Sequence, residues 1–245
     1  MATAYDLQIL AIPSLVSYWP CTESVGPIQD RKGTNHLTDG GHVVYGRPGL
    51  LSSDTLTCIG GDGASAPLLT NAAPAGLPVG GSARSVEWWT RYTAVNFAHI
   101  LDYGVNSAGQ WFAAEMNESV NGFGNVGLLT WANDFNWDLK NNGLGLNDGV
   151  RHHVVLTYDG TNVVLYRDGV AVLAPWARGA MGTVAGTLTM GRRNDTGGDA
   201  AINQDWGRVA LYSAALSAGQ VAANWNTGRQ PSAAPPFPAS LGATW

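Results

Sequence analysis

Lysine is nearly absent from this sequence of 245 residues, which contains Lys32, Lys140 and no others. Charged residues make up 13% of the chain and the formal net charge at pH 7 is −5, whereas an average protein has roughly 25% charged residues. Proteins that bind nucleic acid present a basic patch to the phosphates. The sequence has no such patch, so we do not expect nucleic acid as a partner.

Long apolar runs are also missing from the sequence. No stretch approaches the roughly 18 consecutive apolar residues that a membrane-spanning helix requires. A secretory leader begins with positive charge ahead of its apolar segment. Here Asp6 occupies that region, and Gln8 and Pro13 interrupt the apolar residues that follow. The sequence therefore predicts neither a membrane span nor a signal peptide.

Cysteine is scarce, with Cys21 and Cys58 as the two examples. Two cysteines allow at most one disulfide within the chain, and their spacing matches no zinc motif. Isolated cysteines are more often small buried apolar residues than functional groups. Whether these two pair is left open by the sequence.

Glycine, in contrast, is abundant, with 32 residues, and the dipeptide Asp-Gly occurs five times. Asp-Gly accepts the positive φ angles of tight hairpin turns. The clearest case is a run of three β-branched segments, 152–158, 163–167 and 170–173, separated by Asp159-Gly160 and Asp168-Gly169. This pattern predicts a three-stranded antiparallel meander.

Further strand patterns recur along the chain, and their spacing is typical of a single antiparallel β-sandwich. One helix is predicted from Ser217 to Trp225, with Ser217 as N-cap and Gly228 just past its end. The proline-rich segment 230–245 is predicted to be an extended C-terminal arm, and residues 1–20 to hold an N-terminal arm and the first strand. The domain proper is thus 1–229. The other predicted strands are 14–19, 56–59, 84–92, 99–103, 110–116, 127–131, 186–190 and 206–212.

A resemblance to a known family rests on the meander. HHVVLTYDG at 152–160 and LYRDGV at 165–170 resemble the signature "WHHVALTYDG…LYVDGV" of laminin-G-like, concanavalin-A-like domains. The resemblance implies an all-β jelly roll of two antiparallel sheets with one or two short helical turns. Two departures stand out: Arg151 replaces a common tryptophan, and Gly207-Arg208 replaces an acidic pair. Any role of those acidic residues therefore does not transfer to this chain.

The front of the sequence is similar to a narrower group. Residues 16–20, Asp30 and residues 45–51 resemble the opening "vaYW.l.e…D…G….G.pGll" of many bacteriophage minor tail and virion-surface proteins. This resemblance implies a non-catalytic virion protein, from the tail or decorating the capsid. Such a protein would be made in the host cytoplasm and located on the virion surface. Its expected partners are other virion proteins, copies of itself held by the arms, and a host-surface glycan.

The same superfamily includes glycoside hydrolases, so the carboxylates need attention. A retaining hydrolase holds two of them about 5–5.5 Å apart in one cleft. Glu115 and Glu118 are three residues apart, which on a strand places them on opposite faces. The Glu-x-Asp-x-x-Glu pattern of jelly-roll glucanases is absent. We therefore predict that the protein is not an enzyme, and glycoside hydrolysis is the least favoured of three functions.

The five histidines show no metal-ligand spacing. His152 and His153 are adjacent on a predicted strand, so their side chains should point to opposite faces and could not share one ion without distortion. The resemblance implies that both histidines have a structural role.

Calcium is the one cofactor that the resemblance suggests, because laminin-G-like domains often bind it in a rim loop through oxygen ligands. The candidate ligands are Asn194, Asp195 and Asp199, with Asp102 expected at the end of its strand and pointing to the same rim. The alternative is that these acids form turns or pair with Arg192 and Arg193. No cofactor is otherwise expected.

A glycan site is suggested by the segment 131–138, because aromatic rings stack on sugars while amides and carboxylates bond hydroxyls. The alternative is a half-buried strand with Trp131, Phe135 and Trp137 on one face. We expect at least one of these tryptophans to be exposed to solvent or a partner. A calcium-dependent bacterial lectin is the rival to the virion function. The candidate glycan-binding residues are Trp131, Asn133, Asp134, Asn136 and Trp137.

Overall fold

The computed structural model describes residues 2–52, 55–65, 68–91, 93, 98–105, 107, 109–116, 126–129, 145–172, 175–193 and 204–230. These residues form fifteen strands and two helices. The helices are α1 (Ala4–Leu10) and α2 (Ala218–Arg229). The strands are β1 (Leu15–Trp19), β2 (Thr38–Asp39), β3 (Val43–Arg47), β4 (Cys58–Gly61), β5 (Leu69–Asn71), β6 (Arg84–Arg91), β7 (Ala98–Gly104), β8 (Trp111–Met116), β9 (Val126–Leu129), β10 (His152–Tyr158), β11 (Asn162–Arg167), β12 (Val170–Ala171), β13 (Trp176–Ala177), β14 (Leu188–Met190) and β15 (Asp205–Tyr212).

The strands make two antiparallel sheets, which confirms the predicted sandwich. One sheet has nine strands in the order β12-β11-β10-β6-β15-β4-β3, with β1 also paired to β15 and β13 to β11. The other has six strands in the order β2-β5-β14-β7-β8-β9. Every predicted strand overlaps an observed one, and the four short strands β2, β3, β5 and β13 were not predicted.

The core lies between the two sheets and is built by alternation along each strand. On β6, Val86 and Trp88 point into this inter-sheet core, whereas Glu87 and Trp89 point to the outer face of the nine-stranded sheet. Both faces of β6 are buried, because α1 and α2 contribute to a second apolar cluster on that outer face. Residues 84–90 of β6 are therefore all buried.

The meander is confirmed, and its second turn shows why Asp-Gly predicts it. Asp168 and Gly169 have φ angles of 52° and 82°, the left-handed pair that a primed two-residue turn requires. Asp168 also accepts the backbone N–H of His153. The turn thus sets the register of β12 against β11, and the Asp168 contact joins it to β10.

Helix α2 begins where expected but ends later. Ser217 is the N-cap and forms a capping box with Gln220. Gly228, predicted to lie just past the end, is inside the helix. Its lack of a side chain lets the helix lie against Trp89, because a Cβ at this position would collide with the indole ring. Tertiary packing therefore overrides the local stop signal.

Residues 4–10 of the N-terminal segment form α1, which packs on the chain's own sandwich. Thr3 caps the helix and forms a capping box with Asp6. Gln8 bonds Asn224 and Thr227 of α2 at 2.7 and 2.6 Å. The predicted C-terminal arm lies outside the described residues from 231 onward.

The two cysteines are free thiols and both are buried. Cys21 packs in the inter-sheet core, whereas Cys58 packs in the cluster on the outer face of the nine-stranded sheet. This agrees with their interpretation as small buried apolar residues. Neither helix in the described part of the chain has the length and apolar character needed to cross a membrane.

Candidate functional site

Most of the predicted site residues lie outside the described residues. This holds for the glycan candidates Trp131, Asn133, Asp134, Asn136 and Trp137, and for the calcium candidates Asn194, Asp195 and Asp199. The glycan segment follows β9, the edge strand beside β8, and the calcium segment follows β14. Both segments are therefore connected to the six-stranded sheet.

Asp102 is described, and its position differs from the expectation. It lies inside β7, which continues to Gly104, and its side chain is fully buried. Its Oδ1 accepts a hydrogen bond of 2.6 Å from Thr189, and its Oδ2 is 2.8 Å from Nδ1 of His99. Both oxygens thus serve internal partners, so Asp102 does not fit the role of a calcium ligand at a rim. Among the described residues, no group of three or more His, Cys, Asp or Glu side chains is arranged to hold a metal ion.

Asp102, His99 and Glu115 form a histidine–carboxylate cluster on the outer face of the six-stranded sheet. His99 lies opposite Glu115 in the pairing of β7 with β8, and its Nε2 is 2.9 Å from Glu115 Oε1. The register shifts between His99 and Leu101. A bulge of this kind adds a residue to one strand. It therefore allows His99 and Asp102, three positions apart, to share a face.

The cluster carries an imidazolium ion between two carboxylates. Burial lowers the pKa of His99, but hydrogen bonds and charge interactions with Asp102 and Glu115 outweigh it and raise the pKa to about 10. His99 is therefore protonated at neutral pH. Strongly perturbed buried groups of this kind concentrate at functional sites, although structural ion pairs show the same effect.

An aromatic ring completes this face. Trp111 stacks on His99 with the ring centroids 5.3 Å apart, and the Arg193 guanidinium lies 5.3 Å from the centroid of the Trp111 ring. Trp111 is 1% exposed and the three residues of the cluster are fully buried, so none of these side chains is open to a sugar. We call the cluster and Trp111 the candidate functional face because two carboxylates strongly perturb its histidine.

A second buried carboxylate, Glu87, lies on the nine-stranded sheet. Its Oε1 accepts from Tyr5 at 2.6 Å and is 2.7 Å from Nε2 of His153, and its Oε2 accepts from Tyr212 and Asn224 at 2.6 and 2.9 Å. Burial raises the pKa of Glu87, but these hydrogen bonds and the charge of His153 leave it lowered. The four donors come from α1, β10, β15 and α2. Glu87 therefore joins these four elements to β6 through buried hydrogen bonds.

Sequence reasoning gave Glu87 no role, and the signal for one was weak. A glutamate between Val86 and Trp88 in a strand with no exposed face must find internal donors. Its partners, however, are 66 to 137 residues away along the chain. The register of β6, β10 and β15 and the packing of α1 and α2 on this sheet bring them together.

The adjacent histidines do point to opposite faces, as predicted. His153 faces outward to Glu87, whereas His152 is close to Asp168 and Asp148, with Nδ1 2.8 Å from Asp168 Oδ2 and Nε2 3.2 Å from Asp148 Oδ1. Burial lowers the pKa of His152, but the two aspartates raise it above its usual value overall. Both imidazoles stabilise the meander through carboxylates.

Comparison with known proteins agrees with this architecture. The sequence pattern of the "concanavalin A-like lectin/glucanases superfamily" matches residues 62–222, about two-thirds of the chain. No curated protein matches the sequence.

Several solved structures share the fold at low identity. Domain 4 of an extracellular arabinanase from Geobacillus stearothermophilus, solved with arabinotriose, matches 86% of this chain and 98% of its own at 16% identity and a TM-score of 0.59. Trypanosoma rangeli sialidase matches 90% of this chain at 12% identity and a TM-score of 0.58, but only 36% of its own length. This chain therefore spans about a third of the length of the sialidase chains that it matches.

A third structure is that of botulinum neurotoxin type C, whose cell entry depends on two ganglioside molecules. It matches 89% of this chain and 52% of its own at 14% identity and a TM-score of 0.53. At these identities the matches show the fold alone. Together with the pattern that covers residues 62–222, they show that this chain belongs to the concanavalin A-like lectin/glucanases superfamily.

Proposed function

We propose that this chain is a non-catalytic carbohydrate-binding module displayed on the surface of a bacteriophage virion, as a minor tail or capsid-decoration protein. The pairing of buried carboxylates with histidines carries the non-catalytic part. Asp102 and Glu115 contact the same imidazolium of His99, and Glu87 accepts from four donors. A glycosidase instead needs two carboxyl groups that flank the scissile bond, one of them able to release its proton to the sugar.

Carbohydrate binding is supported by proteins of the same fold. The arabinanase domain was solved with a sugar, and the neurotoxin depends on gangliosides. For this chain we assign glycan contacts to the segment after β9. Its stacking residues are Trp131 and Trp137, with Asn133, Asp134 and Asn136 as hydroxyl partners.

The virion part of the proposal is supported by the resemblance of the front of the chain to phage tail and surface proteins. In the structure, Asp30 of that motif organises a loop. Its carboxylate accepts the backbone N–H groups of Tyr18, Lys32 and Asn35 at 2.9–3.1 Å. Asp30 of the motif therefore stabilises the conformation of this loop. We propose other virion proteins and copies of the chain as partners.

Glycan binding is tested on an array of polysaccharides and host-surface glycans, with and without a chelator. We expect the protein to retain at least one glycan. The double substitution Trp131→Ala with Trp137→Ala should weaken retention by at least about tenfold, since each stacking contact contributes substantially to affinity. Trp245→Ala, in the proline-rich segment outside the proposed glycan site, is the matched control. Retention of no glycan, or equal retention by both variants, would refute the binding proposal.

The virion location needs a separate experiment, because glycan binding would also occur in a bacterial lectin. An antibody against the chain should label phage particles at regular positions in electron micrographs of native material. Labelling of heads or of tails identifies the location. Recovery of the protein without particles would instead favour the lectin.

A further inference from the structure

Helix α1 presents an apolar surface to solvent. Ala4, Leu7 and Ala11 recur at intervals of three and four residues, which places them on one side of the helix. All three are exposed, and Leu7 is 60% exposed. The opposite side packs on the sandwich through Tyr5 and Ile9. A surface helix normally presents polar or charged residues to solvent, so the exposed side of α1 has the character of a contact surface.

A cleft of about 390 Å³ opens along the neighbouring side of α1. Asp6 and Leu10, one turn apart, form its wall on the helix, and Pro20 and Leu56 line it from the sandwich. Ligand pockets typically have volumes of about 300–1,000 Å³. The cleft therefore has room for a large side chain between apolar walls.

The charged groups of the cleft are paired within the protein. Nη1 of Arg208 is 3.4 Å from Oδ1 of Asp6, which also accepts a hydrogen bond from Tyr18. Nη2 of Arg31 is 3.4 Å from Oε1 of Glu23. A charged ligand would have to compete with these pairs for its partners, whereas an uncharged apolar group leaves them intact. The cleft therefore favours an uncharged occupant.

The sequence after α2 supplies an uncharged segment. Residues 231–245 contain no Asp, Glu, Lys, Arg or His, and their large apolar side chains are Phe237, Leu241 and Trp245. The segment also contains four prolines. Proline restricts the backbone before binding, so a proline-rich segment loses less conformational entropy when it docks. Residues 231–245 thus match the cleft in charge and in apolar character.

The chain leaves α2 beside the elements that form the cleft. The Thr227 hydroxyl donates to Oε1 of Gln8 on α1 at 2.6 Å, and the Gly228 carbonyl accepts the backbone N–H of Ser52 at 3.0 Å. Ser52 is four residues before Leu56, so their Cα atoms are at most about 14 Å apart. The end of α2 is therefore close to both walls of the cleft.

The segment is long enough to cross α1. A proline-rich chain advances about 3.1 Å per residue, so Phe237 can lie roughly 20 Å beyond residue 231. A helix with its side chains is about 10–12 Å wide. Phe237 can therefore reach the cleft over the exposed side of α1.

We propose that residues 231–245 of this chain dock across the exposed side of α1 and place the Phe237 ring in the cleft. Leu7 then contacts the docked segment, and Leu10 and Leu56 contact the ring. The docked segment shields this apolar surface from water and holds α1 on the sandwich. The proposal is independent of the proposed function, since it involves neither a glycan nor a virion.

Photo-cross-linking of the full chain tests this contact. p-Benzoylphenylalanine is incorporated at position 237, and the adducts formed on irradiation are located by mass spectrometry. We expect most adducts to join position 237 to α1, Pro20 or Leu56, with a yield that does not depend on protein concentration, as for a contact within one chain. The control is the same probe at Val105, an exposed residue that follows β7 in the other sheet. It should give no adduct with α1 or the cleft.

Two substitutions identify the surfaces. Leu7→Asp should lower the adduct yield at least about fivefold, because the segment would have to bury a carboxylate. Val79→Asp, at an exposed apolar residue that does not line the cleft, is the matched control and should leave the yield unchanged. Phe237→Ser, without the probe, changes no residue of the described fold. It should speed hydrogen exchange severalfold at the backbone N–H groups of Leu7 and Ala11, which α1 holds in hydrogen bonds.

Three results would overturn the proposal. The first is the absence of adducts, or adducts mainly outside α1 and the cleft. The second is adducts that join two chains and increase with protein concentration, which would assign the segment to a neighbouring copy. The third is an equal yield in Leu7→Asp and Val79→Asp together with unchanged hydrogen exchange in Phe237→Ser.

Discussion

Glu87 on β6 and His153 on β10 lie in adjacent strands, with Oε1 of the glutamate 2.7 Å from Nε2 of the histidine and both side chains fully buried. The pair is the centre of the contacts that join α1, α2 and β15 to the sheet. Buried pairs of this kind are retained only when further hydrogen bonds satisfy the remaining lone pairs. Tyr5, Tyr212 and Asn224 provide those bonds.

Glu87→Gln should therefore destabilise the protein strongly. The amide has one acceptor oxygen in place of two and places an NH₂ group against donors. Loss of one partner from a buried pair costs about 3–5 kcal/mol. Urea denaturation measures the change. Asp62→Asn, at an exposed carboxylate next to His42, is the control and should change the free energy of unfolding little. If the Glu87→Gln protein were as stable as this control, the hydrogen bonds of Glu87 would not stabilise the fold.

A second prediction compares two glycines of the same helix. Alanine is a better helix former than glycine by about 1 kcal/mol, so Gly219→Ala, where the nearest atom to a new Cβ is 4.0 Å away, should stabilise the protein by up to that amount. Gly228→Ala should destabilise it instead, because the Cβ would collide with the Trp89 ring. Thermal denaturation of both variants tests the packing of α2. Equal effects of the two substitutions would show that the helix does not rest on Trp89.

The sequence predicted the parts of this fold that depend on neighbouring residues. The Asp168-Gly169 turn needs two positive φ angles, and the opposite directions of His152 and His153 follow from the two-residue period of a strand. Helix α1 escaped prediction because only seven residues form it, and its stability comes from contacts with distant elements. Short helices of this kind have little stability of their own.

The histidine–carboxylate cluster could not be predicted from the sequence. A regular strand would place His99 and Asp102 on opposite faces, and a single bulge brings them together. The same applies to Arg208, whose burial depends on the register shift in β15. A bulge changes the face on which a side chain lies and has no reliable local signal in the sequence. The contact of His99 with Asp102 and the burial of Arg208 could therefore be found only in the three-dimensional structure.

Calcium binding can be tested without a glycan. We expect protein treated with EDTA and then dialysed to melt at a higher temperature when calcium is added, since a ligand at 100 times its Kd stabilises by about 2.7 kcal/mol. Asp195→Asn with Asp199→Asn should abolish the increase. Asp102→Asn, whose partners are His99 and Thr189, should lower stability but leave the response to calcium intact. If calcium has no effect on the wild type, the acids form turns or pair with Arg192 and Arg193.

The pH dependence of stability provides the last prediction, through His99. Its pKa is raised from 6.5 to about 10 in the folded protein, so the folded state holds a proton that the unfolded state has released above pH 6.5. The stabilisation is complete below that pH and is lost as the pH rises toward 10. Between pH 7 and 8.5 the free energy of unfolding should fall by up to about 1.4 kcal/mol per pH unit from this proton alone.

The measurement is urea denaturation of wild type and His99→Gln at intervals across this range. His152, whose pKa is also raised, contributes to both profiles and disappears from their difference. The buried thiols of Cys21 and Cys58 have raised pKa values as well, because burial disfavours their charged forms, and the chosen range keeps their effect small. We expect the wild-type profile to fall more steeply than that of His99→Gln. Parallel profiles would mean that His99 is neutral when folded, and that the two carboxylates do not surround an imidazolium.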